Sequence, residues 1–374
     1  MGGMERTLST PIRRDLDSKI VLLSGPRQVG KTFLSRNLGY PHVTYLNYDV
    51  EADRRLLARQ EWDRQSDLVV LDELHKRKNW KGWLKGIYDA EGVRPRLLVT
   101  GSSRLDVFRR TGDSLAGRHF LFRLHPLTLR EVGGDSEAAL TTQLATGGFP
   151  EPFLRGEAGW ARRWRKSHLD RILREDLLDL EQVRNLKGLE VLVQLLSERV
   201  GAPISYSSLA RDLETSPPTI KRWIDVLERM FVVFVVTPYS RNLARGLLRE
   251  PKVYFYDVGR VTDDGGARFE NLVACHLLAR AHWLEDTQGE RVALHYVRDR
   301  EKREVDFATV RDGKLEWLVE AKLSEDMLSP HLRYFSERLS TSAAFQLVRK
   351  PVRTRQSGKC RVETAANWLA ALET

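Results

Sequence analysis

A chain of 374 residues, 41% hydrophobic and 30% charged, is neither disordered nor fibrous and is too long for one ordinary core. A formal net charge of +10 favours polyanionic partners, nucleic acid or an anionic membrane surface. The two cysteines, Cys275 and Cys360, stand in no metal-type spacing, which argues against a zinc site or a disulfide framework. No run approaches the roughly 18 apolar residues of a spanning helix, and the first 14 residues lack an apolar signal core. The expectation is a cytoplasmic protein with no membrane partner.

In chain order, residues 19–133 alternate apolar strand-like runs with helical segments, the runs falling at 19–24, 43–50, 68–74, 96–100 and 119–125. Five such runs with helices between them predict an α/β fold with a doubly wound parallel sheet. The first run opens onto Gly25-Pro26-Arg27-Gln28-Val29-Gly30-Lys31-Thr32, a full match to the Walker A pattern with a helical segment behind it. Backbone N–H groups of such a loop surround phosphates, and its glycines let the backbone come close. Lys31 then reaches the β- and γ-phosphates of ATP, and the Thr32 hydroxyl meets Mg²⁺. The third run ends in Asp72-Glu73, which places Asp72 on the Mg²⁺ shell and Glu73 on the attacking water. The fourth ends Thr100-Gly101-Ser102-Ser103. With the P-loop strand at the sheet centre, this end lies beside the γ-phosphate, and Ser102 is the candidate sensor; an ordinary Ser-rich turn explains it equally well. Ser114-Leu115-Ala116-Gly117-Arg118 precedes the fifth run. An arginine there can enter a neighbouring subunit's ATP site as a finger, but spacing alone leaves Arg118, Arg104, Arg109 and Arg110 open.

Residues 160–189 are helical and heavily charged. Helices at 189–200 and 206–213 follow, then a helix that starts with Ser216 as N-cap and Pro217 at its first position and runs to about Met230. Strand-like runs at 231–237 and 253–256 complete a winged helix-turn-helix order. The candidate recognition helix carries Thr219, Lys221, Arg222 and Trp223, whose polar members can meet DNA phosphates and groove edges, while Ile220, Ile224 and Leu227 hold the core. Two further basic tracts lie at 160–166, with Arg162, Arg163 and Arg165, and at 349–361, with Lys350, Arg353, Arg355 and Lys359. Each tract alone reads as a solvated face, and a winged helix also serves protein contacts or lid motion.

The last third is predicted to hold a helix at 268–281, strands at 293–298, 305–310 and 316–323, a helix, a strand at 344–349 and a final helix capped by Thr364. Asp306, a hairpin and then Glu320-Ala321-Lys322 have the form of a PD-(D/E)XK nuclease site, in which two carboxylates share Mg²⁺ and the lysine stabilises charge on the phosphate or the water. Alternation puts Glu320 and Lys322 on one face and Val319, Ala321 and Leu323 in the core. Asp306 joins that face only through a three-residue loop, Asp312-Gly313-Lys314, or an equivalent bulge. Glu270 lies on an apolar helical stripe with Val273, Ala274, Leu277 and Ala281, where a carboxylate needs a partner or a metal.

Residues 25–32, 72–73 and 100–103 resemble the AAA+ ATPases. With residues 114–118, 122–132 and 147–151, nearly the whole chain resembles a prokaryotic AAA+ family that carries a winged helix and a C-terminal PD-(D/E)XK nuclease-like domain. The resemblance implies a ring-forming homo-oligomer, hexameric, with Arg118 as the finger and a sensor-two arginine among Arg162, Arg163 and Arg165. It also implies that Glu270 faces the Asp306, Glu320 and Lys322 site. The expected organisation is an ATPase core at 1–134, a helical lid at 135–188, a winged helix at 189–257 and the nuclease-like domain at 258–374. The leading functional expectation is an ATPase using Mg²⁺ to translocate on or remodel DNA, branched DNA included. The alternatives are an ATP-gated nuclease and a nucleotide-switched regulator of a protein partner.

Overall fold

The first five apolar runs become five strands: β1 (Ile20–Ser24), β2 (Val43–Asn47), β3 (Leu68–Asp72), β4 (Arg96–Gly101) and β5 (His119–Arg123). The computed structural model describes residues 5–102, 115–176, 185–240, 250–262, 265–324 and 327–374. Ser103, Arg104, Arg109, Arg110 and Ser114 lie outside the described residues. The chain divides into two units, Met1–His125 and Pro126–Thr374.

In the first unit all strand pairings are parallel and the order is β2-β3-β4-β1-β5. β1 and β3 are buried along their whole length, as strands of a parallel sheet covered on both faces must be. Helices α1 (Ser9–Asp15), α2 (Lys31–Arg36), α3 (Glu51–Arg59) and α4 (Trp80–Glu91) belong to this unit. One correction concerns β1, which lies between β4 and β5, one strand in from the edge rather than at the centre. Its neighbour is still β4, so residues 100–102 end beside the loop that follows β1.

The second unit begins with α5 (Leu129–Val132), α6 (Ser136–Thr146), α7 (Pro150–Arg155) and α8 (Ala158–Arg171). Then come α9 (Leu186–Ser197), α10 (Tyr206–Asp212) and α11 (Pro217–Arg229), the last with Ser216 accepting from Thr219 N–H as its N-cap. β6 (Val233–Pro238) and β7 (Lys252–Phe255) form an antiparallel pair. This pair does not stand apart as a wing. β6 continues alongside β8 (Val292–Arg298), with Thr237 opposite His295. The sheet that results has eight strands in the order β12-β13-β11-β10-β9-β8-β6-β7. Its other members are β9 (Glu304–Arg311), β10 (Lys314–Lys322), β11 (Ala343–Val348), β12 (Arg355–Ser357) and β13 (Cys360–Thr364). One apolar cluster runs from Leu192, Ile220 and Leu227 through Phe255 and Leu272 to Phe307, which joins α9 and α11 to the C-terminal sheet.

The long helix α12 (Gly266–Gln288) extends past the expected end because Leu284 and Ala281 pack on Val292. Helices α13 (Pro330–Arg338) and α14 (Ala365–Ala370) complete the fold. Thr364 occupies the N-cap of α14, but its hydroxyl bonds Val352 at 3.0 Å rather than the helix, correcting its expected role. Leu323 is 41% exposed beyond the end of β10, not in the core.

The β9–β10 turn is the two-residue one, with Asp312 at φ 48° and Gly313 at φ 77°, the left-handed pair that a tight hairpin requires. A bulge replaces the three-residue loop. Leu315 faces Val310 and Trp317 faces Thr309, so Glu316 is the extra residue. Its carboxylate accepts both Arg280 guanidinium nitrogens at 2.8 Å and the Thr309 hydroxyl at 3.1 Å. With the register shifted, Val319 faces Phe307, and the next step sets Asp306 beside Glu320. Among the described residues no helix is long and apolar enough to cross a membrane.

Candidate functional site

The loop after β1 is built for close backbone approach. Gly25 has φ 156°, and any Cβ there would collide with the Leu124 carbonyl; Gly30 has φ 101° and Gln28 adopts φ 61°. Lys31 is 7% exposed, and its Nζ donates to the carbonyls of Gly25 at 2.9 Å and Pro26 at 2.8 Å. The ammonium is thus held by the first two carbonyls of the loop.

Asp72 stands at the end of β3. The Thr32 hydroxyl donates to its Oδ2 at 3.3 Å, and Tyr45 Oη and Thr100 Oγ1 also donate to the carboxylate. Three hydroxyls therefore fix its orientation. Tyr45 is kept protonated because burial and then its bond to Asp72 push its pKa up. Sequence reading did not single out Tyr45 or Thr100. The parallel register is the missing signal: Asp72 pairs with Thr100 on one side and Asn47 on the other, and Tyr45 is two residues before Asn47 on the same face. A hydroxyl and a carboxylate side by side at a phosphate loop are the hard oxygen donors that suit Mg²⁺.

Glu73 follows in the left-handed region at φ 54°. Its Oε2 accepts from Ser102 Oγ at 3.2 Å and lies 3.6 Å from His75 Nδ1. Ser102 thus rests on Glu73. Burial raises the Glu73 pKa against the pull of Lys31, with Asp72 adding to the rise. Burial, with Lys76 and Lys31, lowers His75 to about 4, so its ring is neutral at ordinary pH. Arg118 precedes β5 and therefore sits at the edge of the sheet opposite Thr32, Asp72 and Ser102. Five residues of strand separate the two edges by about 16 Å. Its guanidinium pairs with Asp89, Nε to Oδ1 at 2.7 Å.

The C-terminal unit gathers a second set of charges. Asp306 Oδ2 accepts the Ala321 N–H at 2.8 Å, and Lys322 Nζ lies 3.0 Å from Glu320 Oε1. Glu320 is 4% exposed, and its Oε2 has no hydrogen-bond partner among the described residues. Burial, then the charges of Glu270 and Glu320, push the Asp306 pKa well up. Burial also raises Glu320, against Lys322. Glu270 belongs to the same cluster but is engaged elsewhere. Its Oε1 accepts Tyr254 Oη at 2.6 Å and Lys252 Nζ at 3.3 Å. Lys252 Nζ is also 2.7 Å from Glu304 Oε1. Burial alone would depress the lysine, but Glu270, Asp306 and Glu304 hold its pKa above the usual value. Among the described residues no three His, Cys, Asp or Glu side chains converge closely enough to hold a metal. Lys252, Tyr254 and Glu304 were missed in the sequence because they reach the cluster from β7 and the start of β9.

On α11, Lys221 and Arg222 are exposed and Thr219 is half-buried, its hydroxyl 2.9 Å from Ser216 Oγ. Trp223 belongs to the core at 4% exposure. Of the three arginines on α8, Arg162 and Arg163 are exposed, whereas buried Arg165 pairs with Asp257 at 3.1 Å and is thereby committed inside its own unit. Arg349 is likewise bound to Glu137 at 2.9 Å.

Residues 17–133 match the family described as an AAA domain, and residues 137–262 and 265–364 match two families described as domains of unknown function. An uncharacterized protein of Mycobacterium tuberculosis is 31% identical over 258 residues, 68% of this chain and 58% of that protein. The chain thus spans less than two thirds of this relative's length. An uncharacterized protein of Methanocaldococcus jannaschii is 23% identical over 349 residues, 81% of this chain and 76% of that protein. Among solved structures, a RuvB of Thermotoga maritima is similar at TM-score 0.32 and 16% identity, over 61% of this chain and 86% of that one. The DNA clamp loader delta protein of Bacillus subtilis is similar at TM-score 0.27 and 10% identity, over 59% and 87%. The matched domain, the sheet order and the assembled phosphate loop together make the N-terminal unit an AAA P-loop ATPase domain.

Proposed function

We propose that this protein hydrolyses ATP with Mg²⁺ to translocate on or remodel DNA, branched DNA included, as a hexameric ring of identical subunits. The observation that carries the chemistry is the convergence of Lys31, Thr32, Asp72 and Glu73 at one edge of the parallel sheet. Loop N–H groups of residues 25–32 bind the phosphates, and Lys31 offsets their charge. Thr32 and Asp72 would hold Mg²⁺, which would supply positive charge against the phosphates. Glu73 orients the attacking water and takes its proton, with Ser102 steadying the carboxylate. Arg118, at the other edge, serves a neighbour's site, where such a finger is worth roughly 10³–10⁵ in rate.

Support for DNA as the substrate comes from Lys221 and Arg222, exposed side by side on a helix whose opposite face is core. The test is the steady-state ATPase rate with Mg²⁺, alone and with single-stranded, duplex and four-way-junction DNA. Stimulation ranked by DNA structure is expected, and it should shrink when Lys221 and Arg222 are both changed to Ala. A rate indifferent to every DNA overturns the reading and favours a nucleotide-switched regulator of a protein partner. A second reading, an ATP-gated metal-dependent DNA nuclease, draws on Asp306, Glu320 and Lys322 lying together with one Glu320 oxygen unpaired.

A further inference from the structure

The acidic cluster has two sides with different charge balance. On one side Glu270 and Glu304 face two cations. Lys252 touches both carboxylates, and Arg298 lies 3.2 Å from Glu304 Oε2. On the other side Lys322 engages Glu320 Oε1, the charge of Lys252 also acts on Asp306, and the buried Oε2 of Glu320 has no hydrogen-bond partner among the described residues. Among the described residues the first side carries three ion pairs and the second carries one.

The position of Lys252 is enclosed. Its side chain is 0% exposed, and its Nζ lies 5.3 Å from the centre of the Tyr296 ring. Tyr254 Oη closes the Glu270 carboxylate from one direction, and Gly201 closes it from another, since any side chain there would strike that carboxylate. Withdrawing the buried ammonium would take a cation from two carboxylates that water reaches only in part, at a cost that keeps the amine in place. A divalent cation that recruited Glu270 would have to sit against this ammonium.

We propose that the Lys252 ammonium is the resident cation of the Glu270 side, so that a divalent cation binds only between Asp306 and Glu320, with Glu270 outside its coordination. The second cation place of a two-metal phosphodiester site is then filled by an amine that belongs to the chain. This inference concerns the C-terminal unit alone and does not depend on the ATPase reading.

The experiment is Mn²⁺ titration of the nucleotide-free full chain by isothermal calorimetry, with Asp306→Asn as the blank for all other Mn²⁺ sites. Wild type should bind one Asp306-dependent Mn²⁺, and Glu270→Gln should leave its affinity unchanged. Lys252→Met with Glu304→Gln removes the amine together with the charge of one of its two carboxylate partners, and circular dichroism checks its fold. Glu270 then becomes available, and Mn²⁺ affinity should rise about tenfold or more, a gain that disappears on adding Glu270→Gln. The proposal is overturned if wild type binds no Asp306-dependent Mn²⁺, or if Glu270→Gln alone weakens binding tenfold. Unchanged affinity in the folded double variant also overturns it. Should the double variant not fold, the wild-type and Glu270→Gln titrations decide alone.

Discussion

Tyr45 shows how a single side chain outside any motif acts on the reaction centre. Its hydroxyl donates to Asp72, and the Arg36 guanidinium lies 3.9 Å from its ring centre. Removing the hydroxyl leaves Asp72 with two donors and a freer rotamer, so its hold on Mg²⁺ should loosen while the phosphate loop is untouched. Tyr45→Phe is expected to raise the Mg²⁺ concentration for half-maximal ATPase about tenfold, a size ordinary for residues that orient a metal ligand. Binding of a fluorescent ATP analogue without Mg²⁺ should stay as in wild type; a parallel loss there would mean that Tyr45 shapes the loop instead. Lys31, Thr32 and Asp72 were legible in the sequence because each lies in a contiguous run whose neighbours declare its role. Tyr45, Thr100 and Lys252 were not, because each acquires its role from a strand pairing, and the order of strands in a sheet is not written in local spacing.

Elements carry the same lesson one level up. The need for an extra residue between Asp306 and Glu320 was readable from alternation alone, since one step of register moves every side chain to the other face. Where that residue goes was not readable. The Asp312-Gly313 turn is already ideal for two residues, so the extra one moves into the strand as Glu316, where Arg280, from a helix 36 positions earlier, receives it in a two-pronged pair. Arg280 is 3% exposed, so Glu316→Ala would leave a buried guanidinium facing no carboxylate. The expected cost is about 3 kcal/mol, read from the urea transition followed by tryptophan fluorescence. Deleting Glu316 outright should do something different. It restores regular pairing, turns Asp306 away from Glu320 and abolishes Asp306-dependent Mn²⁺ binding. If the deletion variant binds Mn²⁺ as wild type does, the bulge does not set the register.

At the scale of the whole molecule, the parallel sheet separates two parts that the proposed mechanism must reunite. Every strand of the first unit points the same way, so Lys31, Thr32, Asp72 and Ser102 collect at one edge and Arg118 is held at the other. A chain acting alone cannot bring Arg118 to its own phosphates without unravelling β5. A second copy can, and the Asp89 pair that now holds the guanidinium is exposed enough to be exchanged for a phosphate. Two inactive variants should therefore repair each other. Lys31→Ala keeps the finger and loses the site, while Arg118→Ala keeps the site and loses the finger. Each alone should fall to background in ATP hydrolysis. Mixed in equal amounts and allowed to exchange subunits, they should recover a substantial part of wild-type activity, because some interfaces then join an intact Lys31 site to an intact Arg118. Lys31→Ala mixed with a chain carrying both substitutions should recover none, which controls for a general effect of mixing. No recovery in the first mixture, with exchange verified by labelled subunits, would place Arg118 outside the catalytic interface and return it to the role of a surface partner of Asp89.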